Sequence, residues 1–425
     1  MSNVRVRFAP SPTGTPHVGN IRTALYNFLF AKNQKGQFIL RIEDTDRERF
    51  QNSAIEEIKK SLLVLGLKWD KYYQQSKRLP LYNNALEKLK NSGEAYPDEG
   101  AWRFKVKSGI KISWQDIVHQ NVEFNSDVIE DFVIVKKDGF PTYHFASVID
   151  DHYMQISHVI RGDEWISSTP KHLLIYSSLL WKPPMYVHIP PILGMDKKKL
   201  SKREGAISVF EYVNKGYLPE AVVNFLALLG WSPSPPEALS EGGKREKEIF
   251  SLDELIRIFS LERLNKNSPV FNLEKLNWFN KKYINVYPKS KLLTKIKNFS
   301  KLAQKADNKK LAKIVDLLED RLVMLGDFDK FAGIFFKKGF LPPPPRSKSK
   351  LVKEAIDSVR KWNEFGITKT LDEWISRNRL DSSDIKNILR LSVFADNTPP
   401  IYQSLAVLPK AEVRRRIDDA IQKAK

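Results

Sequence analysis

The fold is decided by residues 4–42, which read VRVRFAPSPTGTPHVGNIRTALYNFLFAKNQKGQFILRI. Residues 4–8 alternate between apolar and basic side chains and predict a strand, and a loop punctuated by proline and glycine follows it. Apolar residues then recur at helical spacing, and Gly36 ends this helix before a second strand at residues 38–42. Such a βαβ unit implies a parallel sheet, whose ligand crevice lies beyond the carboxyl ends of the strands. A binding site is therefore expected in the loop at residues 9–20.

The rest of the chain is predicted to continue as mixed α and β structure before it becomes helical. Helices are expected near residues 54–65 and 81–90, strands near residues 102–106, 128–135 and 139–143, and a hairpin turn at residues 137–139. Beyond Met185 the pattern is again a strand, a basic loop and a helix. After Asn272 the periodicity is almost wholly helical, which indicates a separate α domain. The proline run at residues 342–345 predicts an extended spacer that divides this domain.

The composition excludes several classes of protein. The chain has 425 residues and no cysteine, which excludes disulfides, thiolate nucleophiles and a Cys-based zinc ribbon. The longest apolar run, residues 221–230, is shorter than the ~20 residues that span a bilayer. The N-terminus enters a predicted strand directly, without the charged start and apolar middle of a signal peptide, so a cytoplasmic location is expected.

The chain is strongly basic, with a net charge of +20 and a pI near 9.6. An excess of Lys and Arg releases counterions from a polyphosphate partner, which gives sequence-independent affinity for nucleic acid. An organism whose proteins are all rich in Lys would give this chain the same positive net charge without any nucleic-acid partner. Charge alone therefore leaves RNA binding and a plain basic surface equally open.

Two short motifs carry features that phosphate chemistry requires. The first, His17-Val18-Gly19-Asn20, lies where the first loop meets the first helix, so backbone amides and the positive helix end favour a phosphate. His17 would add a donor, and Gly19 would let an adenine or ribose approach the backbone closely. Taken alone, this motif is better explained as a plain helix cap or turn.

The second motif is residues 197–205, KKKLSKREG, which concentrate cations in a short loop next to a glycine. A mobile cationic loop can meet the charge that builds on a departing pyrophosphate without covalent catalysis. The alternative is a solvated surface loop. The two motifs together favour a site for triphosphate chemistry over either plain alternative.

These motifs belong to a longer ordered series. It consists of residues 7–20 (RFAPSPTGTPHVGN), 41–46 (RIEDTD), 141–144 (PTYH), 159–164 (VIRGDE) and 199–203 (KLSKR). The series resembles bacterial-type glutamyl-tRNA synthetase, a class I aminoacyl-tRNA synthetase, and the resemblance covers nearly the whole chain. It implies a Rossmann-type α/β catalytic domain with a parallel sheet and a small strand-rich insertion, followed by an all-α C-terminal anticodon-binding domain.

The resemblance also implies where the domains divide. The two halves of the catalytic domain would be residues 1–93 and 139–271, the latter with the stem-contact region and the basic signature loop. A reduced acceptor-binding insertion would occupy residues 94–138. The helical anticodon-binding domain would be residues 272–425, split by the Pro-rich spacer near residues 341–349.

The amino-acid pocket is a further implication of the resemblance. Arg7 and Arg161 would bind the γ-carboxylate of glutamate, because a guanidinium meets a carboxylate with two parallel hydrogen bonds. Glu43 would hold the α-ammonium together with Tyr143. The other implied pocket residues are Ala9, Ser11 and Ser147, the last standing where some relatives carry Asn. Without the resemblance, Arg7 is better explained as a surface charge and Glu43 as a local salt-bridge partner.

For ATP, the resemblance makes His17 and Lys202 the catalytic residues. The other implied ATP contacts are Gly19, Asn20, Glu164, Trp165, the backbone near Ile192 and Leu193, Lys199 and Ser201. Substrate carboxylate would attack the α-phosphate, and the terminal 2′-OH of tRNA would then attack the mixed anhydride. Positioning, charge stabilisation and Mg²⁺ would accomplish this without a side-chain nucleophile.

The sequence departs from the family pattern in two notable places. Asn20 stands where many class I enzymes have a second histidine, so an amide must donate there. Residues 97–101 replace a longer insertion that some relatives use for a zinc site and acceptor-stem contacts. Without cysteine, no zinc is expected.

The expected function is therefore ligation of L-glutamate to tRNA-Glu by a cytoplasmic monomer. The alternatives are an enzyme that also charges tRNA-Gln, a glutaminyl enzyme, a free nucleotidyltransferase, a shortened tRNA-modifying paralogue and a catalytically silent RNA-binding protein. Arg7 and Arg161 favour a charged amino-acid side chain over an amide. The helical domain after Asn272 argues against the nucleotidyltransferase and the paralogue. Intact His17 and Lys202 argue against the silent protein.

Overall fold

A computed structural model describes residues 4–200, 207–233, 247–337, 341–396 and 399–424. The chain divides into two compact units, residues 1–214 with 219–279, and residues 215–218 with 280–425. Every strand within the described ranges belongs to the first unit. No helix within them is both long enough and apolar enough to cross a membrane.

The strands form three sheets. In chain order they are β1 (Arg5–Phe8), β2 (Gln37–Ile42), β3 (Lys71–Gln74), β4 (Ala95–Asp98), β5 (Ala101–Phe104), β6 (Lys111–Asp116), β7 (Gln120–Asn125), β8 (Phe132–Val135), β9 (His158–Gly162) and β10 (Met185–Ile189). One sheet is parallel in the order β1-β2-β3, a second has the order β7-β6-β10-β9, and β4, β5 and β8 form a small antiparallel sheet. β9 lies beside β1, since Ser157 N donates to Arg5 O at 2.9 Å. The carboxyl ends of β1, β2 and β9 therefore share one edge.

The helices alternate with these strands and then fill the second unit. In chain order they are α1 (Val18–Asn33), α2 (Asn52–Val64), α3 (Leu79–Asn91), α4 (Tyr143–Tyr153), α5 (Thr169–Ser178), α6 (Val209–Lys215), α7 (Pro219–Ala227), α8 (Leu252–Ile258), α9 (Leu273–Val286), α10 (Lys289–Phe299), α11 (Lys301–Gln304), α12 (Asn308–Leu318), α13 (Asp327–Ala332), α14 (Arg346–Ser358), α15 (Glu364–Arg377), α16 (Ser382–Val393), α17 (Ile401–Val407) and α18 (Lys410–Lys423).

The predicted βαβ unit is confirmed. Val6 in β1 pairs in parallel with Phe38 in β2, and α1 connects them. This helix is buried around most of its circumference because it packs against β1 and β2 and also against α7 and α8. At Gly36 the chain turns so tightly into β2 that a Cβ would strike the carbonyl of Val4. The glycine that marks the helix end in the sequence is therefore required by close backbone approach.

Two of the predicted strands need correction. Residues 139–143 do not form a strand: Pro141 makes one isolated bridge to Val135, and α4 begins at Tyr143. Pro141 has no N–H for a sheet ladder, which favours a turn into the helix over continued pairing. The strand predicted from residue 128 begins only at Phe132. In contrast, Gly139 does lie in a turn, with φ of +80°.

The hairpin of β6 and β7 was absent from the sequence prediction, and it matters for the site. β6 pairs in parallel with β10, and β7 pairs antiparallel with β6. Buried and exposed residues alternate along β6, as expected for a strand with one face against the core. The segment at residues 111–125 thus extends the second sheet.

The second unit is a set of packed helices. α14 packs on α16 and α18, and α12 packs on α17. The proline run at residues 342–345 leads directly into α14, with Pro345 at its N-cap. Lys313 Nζ in α12 donates to Ala406 O in α17 at 3.1 Å, so helices on both sides of the run are in contact.

Candidate active site

A cavity of about 1080 Å³ lies at the shared carboxyl edge of β1, β2 and β9. Its lining includes Arg7, Ala9, Ser11, His17, Asn20, Glu43, Tyr143, Arg161, Glu164 and Trp165. These residues come from segments that are far apart in sequence, and the parallel sheet brings their strand ends together. The loop expected to hold the ligand does border this cavity.

His17 caps α1 and presents one ring nitrogen for a ligand. Its Nδ1 accepts a hydrogen bond from Gly19 N at 3.0 Å. Partial burial and then the charge of Lys199 hold the pKa of His17 below its ordinary value, while Glu164 opposes them. The ring is therefore neutral near pH 7, and its hydrogen is on Nε2. That atom is a donor suited to a phosphate oxygen.

Asn20 completes the cap. Its Oδ1 accepts from the backbone N of His17 at 3.2 Å, and the reciprocal His17 bond makes this a capping box. Because Oδ1 is used in this way, the Nδ2 amide hydrogens remain as donors. The amide can thus take the donor role expected where other class I enzymes have histidine.

Gly19 is needed for a reason different from the one expected. A Cβ at this position would lie 2.9 Å from His17 Cε1 and 3.0 Å from its Nδ1. Such distances are too short for carbon and nitrogen, so the imidazole would have to move. Gly19 therefore allows the observed His17 orientation, and it does not itself line the cavity.

Arg7 lines the cavity and is part of a buried charge cluster. Arg7 Nε lies 3.1 Å and Arg41 Nη1 lies 2.6 Å from the same oxygen, Asp151 Oδ1. Burial acts to raise the pKa of Asp151, but Arg41 and Arg7 together outweigh it, so the pKa is below its ordinary value. Asp151 is thus ionised near pH 7 and neutralises much of the charge on Arg7.

Glu43 follows β2 and belongs to the same cluster. Its Oε1 accepts from Arg41 Nη2 at 2.9 Å and from Arg41 Nε at 3.2 Å. Burial raises the pKa of Glu43 above its ordinary value, although Arg41 and Arg7 oppose this. The side chain is 5% exposed. A cationic group from a ligand would favour its ionised form further.

One face of α4 supplies several polar groups. Tyr143, Ser147 and Asp151 are spaced four residues apart and therefore lie on one side of the helix. Ser147 does not line the cavity, but its buried hydroxyl has no hydrogen-bond partner. A buried unpaired hydroxyl is costly, so this group is available to a ligand or to a water between them.

Arg161 has an environment different from that of Arg7. All five N–H groups of its guanidinium find uncharged acceptors, and it forms no ion pair within the described residues. The acceptors are His188 Nε2 at 3.1 Å, Tyr143 Oη at 3.2 Å, His172 Nδ1 at 3.4 Å, Trp165 O at 3.2 Å and Thr169 Oγ1 at 2.7 Å. The side chain of Arg161 is thus a buried cation without a direct anionic partner.

Two histidines that contact Arg161 are neutral. Burial, followed by Arg161, holds the pKa of His172 well below its ordinary value. Burial likewise lowers the pKa of His188, although the hydrogen bond that its ring donates to Asp116 opposes this. His188 Nδ1 lies 2.6 Å from Asp116 Oδ2, which is the nearest carboxylate along this chain of contacts. An uncharged imidazole therefore separates Arg161 from Asp116.

Other predicted site residues lie elsewhere. Leu193 N donates to Pro269 O and Leu193 O accepts from Phe271 N, while Ile192 O accepts from Leu200 N. These backbone groups are therefore already paired, and neither residue lines the cavity. Lys199 forms a bridge with Leu193 and is close enough to His17 to affect its pKa. Ser201 and Lys202 lie outside the described residues.

Four buried polar residues in or beside the site were not predicted from the sequence: Arg41, Asp151, Asp116 and His188. A signal for two of them was present: Arg41 interrupts the apolar run FILRI, and His188 interrupts YVHIP. Charged or polar residues in buried strands require partners, so each predicts a buried network. Among the described residues, no group of three or more His, Asp or Glu side chains is arranged to hold a metal ion.

Comparisons with known proteins cover nearly the whole chain. Residues 3–101 and 99–278 match the family described as tRNA synthetases class I (E and Q), catalytic domain, and residues 291–421 match the anticodon binding domain family. A glutamate–tRNA ligase of Dehalococcoides mccartyi is 37% identical, with 99% of this chain and 97% of the relative covered. A glutamate–tRNA ligase of Chlorobaculum parvum is also 37% identical, with 99% and 98% covered.

Solved structures give the same result. The crystal structure of a glutamate tRNA ligase from Elizabethkingia meningosepticum, in complex with its amino acid, matches with a TM-score of 0.90 and 30% identity over 100% of both chains. The glutamate-tRNA synthetase of Elizabethkingia anophelis matches with a TM-score of 0.87 and 31% identity over 99% of both chains.

Proposed function

The chain belongs to the class I tRNA synthetases of the glutamate and glutamine group, as a glutamate–tRNA ligase, and from this premise we propose which residues perform the reaction. The enzyme uses ATP to activate L-glutamate and transfers it to tRNA. The cavity beside Arg161, Glu43 and His17 is the proposed site of both steps.

The proposal rests chiefly on Arg161. Its buried guanidinium, 5% exposed, has only uncharged partners within the described residues. A buried cation without a counter-charge is costly, so a substrate carboxylate would be bound favourably there. The amide of glutamine carries no charge to offset this cost. Arg161 is therefore the proposed selector for glutamate, and Arg7, already paired with Asp151, is a second donor.

The amino group of glutamate is assigned to the part of the cavity that Glu43 borders. Glu43 is the proposed partner of the α-ammonium, because its carboxylate borders the cavity at the end of β2. Tyr143 would contact the same amino acid from α4. The unpaired hydroxyl of Ser147 supports a direct or water-mediated contact there. Ala9 and Ser11, from the loop after β1, would border the bound glutamate.

ATP is assigned to the region around His17. His17 Nε2 and the amide of Asn20 are the proposed phosphate donors, with Lys199 nearby. Glu164 and Trp165 would lie beside the adenosine, since both line the cavity. Lys202 and Ser201 are proposed from the sequence motif alone. Gly19, Ile192 and Leu193 are proposed to act through the shape of the backbone.

The chemistry then follows in two displacements. An oxygen of the glutamate α-carboxylate attacks the α-phosphorus of ATP, and the bond to the bridging oxygen of the leaving pyrophosphate breaks. The terminal 2′-OH of the tRNA next attacks the carbonyl carbon of the mixed anhydride, and AMP departs while the hydroxyl proton passes to AMP or water. Positioned donors and cations lower both barriers, since no side chain forms a covalent bond.

Mg²⁺ is proposed to enter with the nucleotide. The described residues contain no cluster of carboxylates that would hold an ion alone, but Asp46 and Glu48 line the cavity. This donor set fits an ion held mainly by phosphate oxygens and water, which is the usual arrangement for Mg²⁺. When bound, the ion would neutralise phosphate charge.

We propose tRNA-Glu as the nucleic-acid substrate of a monomer that acts in the cytoplasm. The basic net charge of +20 supports binding of a polyphosphate. Charging purified tRNA-Glu and tRNA-Gln in separate reactions tests whether both are substrates. Light scattering on the purified protein, with and without tRNA, tests the monomer.

The test of the amino-acid site is Arg161→Gln, with Arg5→Gln as the matched control on the adjacent strand β1, since Arg5 does not line the cavity. Loss of a charge-assisted hydrogen bond worth about 2–3 kcal/mol would raise the KM for glutamate about 30- to 150-fold. The KM for ATP in tRNA-dependent pyrophosphate exchange should change little. An unchanged glutamate KM in a folded Arg161→Gln enzyme would refute the assigned role.

A further inference from the structure

Three adjacent strands place Asp116, His188 and Arg161 in a row. Asp116 ends β6, His188 lies in β10, and Arg161 lies in β9, where it is the register partner of His188. The sheet order β6-β10-β9 keeps the three side chains next to one another. Asp116 and His188 are 4% and 0% exposed, so this row is shielded from solvent.

The orientation of the Asp116 carboxylate is fixed by its own turn. Its Oδ1 accepts from Val118 N at 3.0 Å and from His119 N at 3.1 Å. Its Oδ2 is thereby directed at His188 Nδ1, 2.6 Å away. Oδ1 thus holds the turn between β6 and β7 and also accepts from the backbone N of His188 at 3.4 Å, whereas Oδ2 holds the imidazole ring of His188.

This contact determines which nitrogen of His188 carries the hydrogen. An ionised carboxylate only accepts, so Nδ1 must donate, and Nε2 of the neutral ring is then an acceptor. Nε2 receives the hydrogen bond from Arg161 Nε at 3.1 Å. Burial alone would raise the pKa of Asp116, but the bonds from His188 and from the turn amides keep it below its ordinary value.

The Nη1 end of the Arg161 guanidinium is held by longer hydrogen bonds than the Nε end. Nη1, the atom that contacts Tyr143 on the cavity wall, has partners at 3.2 Å and 3.4 Å. Nε, by contrast, is held by an acceptor whose own position is fixed by Asp116. The side facing away from the substrate is thus anchored, and Nη1 is the donor most easily transferred to an incoming carboxylate.

We propose that Asp116 is a positioning residue for glutamate recognition, which fixes Arg161 through the Nδ1–H tautomer of His188 and directs Nη1 at the cavity. The inference rests on the proposed binding of glutamate by Arg161. It gives the hairpin of β6 and β7 a part in amino-acid selection. It also explains why the counter-charge of Arg161 is placed one imidazole away: direct pairing would neutralise the guanidinium and compete with substrate.

The chain of contacts Asp116–His188–Arg161 is called the relay. Asp116→Asn tests it, because the substitution should change the tautomer of His188. The turn amides of Val118 and His119 require an oxygen, so the new amide would present its NH₂ group to His188 Nδ1. His188 would then shift its hydrogen to Nε2, which would face the Nε–H of Arg161 donor against donor. The expected result is a rise of about tenfold in the glutamate KM, with the ATP KM unchanged.

The matched control is Asp127→Asn in the same inserted segment. Asp127 also holds a turn, through Gly109 N at 2.8 Å, but it contacts no histidine. A general loosening of the hairpin would affect both variants alike, whereas a relay would raise the glutamate KM only in Asp116→Asn. Equal kinetics of the two variants would overturn the proposal.

A direct measurement reads the His188 tautomer in the wild-type enzyme itself. In ¹⁵N-histidine spectra of the wild-type enzyme, with the His188 signals assigned by their loss in His188→Gln, Nδ1 should be protonated and Nε2 should not. A His188 ring protonated on Nε2, or on both nitrogens at pH 7.5, would overturn the proposal. If Arg161→Gln leaves the glutamate KM unchanged, the site assignment fails. If only Asp116→Asn leaves it unchanged, the relay alone fails.

Discussion

Arg7 donates from Nε to Asp151 Oδ1 across 3.1 Å, with both side chains about nineteen-twentieths buried at 5% and 6% exposure. This pairing distinguishes two arginines that the sequence alone makes equivalent. Arg7 has an ionised partner, whereas Arg161 has only uncharged ones within the described residues. A substrate carboxylate would therefore be stabilised more by the charge of Arg161 than by the charge of Arg7.

Asp151→Asn should destabilise the protein strongly. The change leaves Arg7 and Arg41 buried without their shared anion, and breaking a buried pair in this way typically costs about 3–5 kcal/mol. A urea titration at pH 7.5 measures it. Glu87→Gln is the control, because the exposed Glu87–Lys90 pair should contribute no more than about 1 kcal/mol. Equal losses in the two variants would contradict the buried-cluster interpretation.

Gly19→Ala should impair activation without unfolding the enzyme. The new Cβ would occupy space within 3.0 Å of the His17 ring, so the imidazole must leave its capping position and its Nε2 donor moves. Misplacing a phosphate donor should slow pyrophosphate exchange about 10- to 100-fold. At Gly333, with φ of −49°, an added Cβ meets nothing within 4 Å. Gly333→Ala should therefore leave exchange unchanged, and a similar rate for both variants would refute the role of Gly19.

His144, whose Nδ1 lies 3.2 Å from Nε2 of His172, should make stability depend on pH. Burial and then the charge of Lys171 lower the pKa of His144 to about 4, from 6.5 in an unfolded chain. The unfolded chain therefore binds a proton that the folded protein refuses, so stability is complete above pH 6.5 and falls as the pH drops toward 4. At pH 5 the loss from His144 should be on the order of 1 to 2 kcal/mol.

Urea midpoints at pH 7.5 and pH 5.0 test this expectation. The fall between the two pH values should be smaller in His144→Gln than in the wild type, because glutamine does not titrate. Asp116 and Asp151 have lowered pKa values, so their contributions are lost only below the ordinary aspartate value of 3.8. These two carboxylates therefore do not account for a fall in stability between pH 7.5 and pH 5.0. An identical fall in both proteins would show that His144 is not responsible.

Strong local signals made much of the fold predictable. Alternation at residues 4–8, helical spacing in α1 and the glycine at its end each point to the same βαβ unit. The hairpin of β6 and β7 was missed although Ile112 and Trp114 alternate with polar residues. No residue of β7 is fully buried, so the apolar signal of the second strand is weak.

The grouping of the candidate site residues was predictable where they lie within continuous motifs. His17, Glu43 and Arg161 belong to such motifs and line one cavity. The contact of Asp116 with His188 joins residues 72 positions apart, neither of which belongs to a motif. Only the sheet order β6-β10-β9 brings them together, and strand order is a tertiary property that local periodicity does not determine.

Tyr143→Phe should weaken glutamate binding selectively. The hydroxyl accepts from Arg161 Nη1 at 3.2 Å on the cavity wall, so its loss removes an acceptor that orients the proposed selector. A hydrogen bond to a charged group contributes about 1.5 kcal/mol or more, which predicts a roughly tenfold higher glutamate KM. Tyr153→Phe on the same helix is the control, because Tyr153 is 42% exposed. An unchanged glutamate KM in Tyr143→Phe would mean that substrate displaces this hydroxyl from Arg161, and that the other four hydrogen bonds of the guanidinium suffice to orient it.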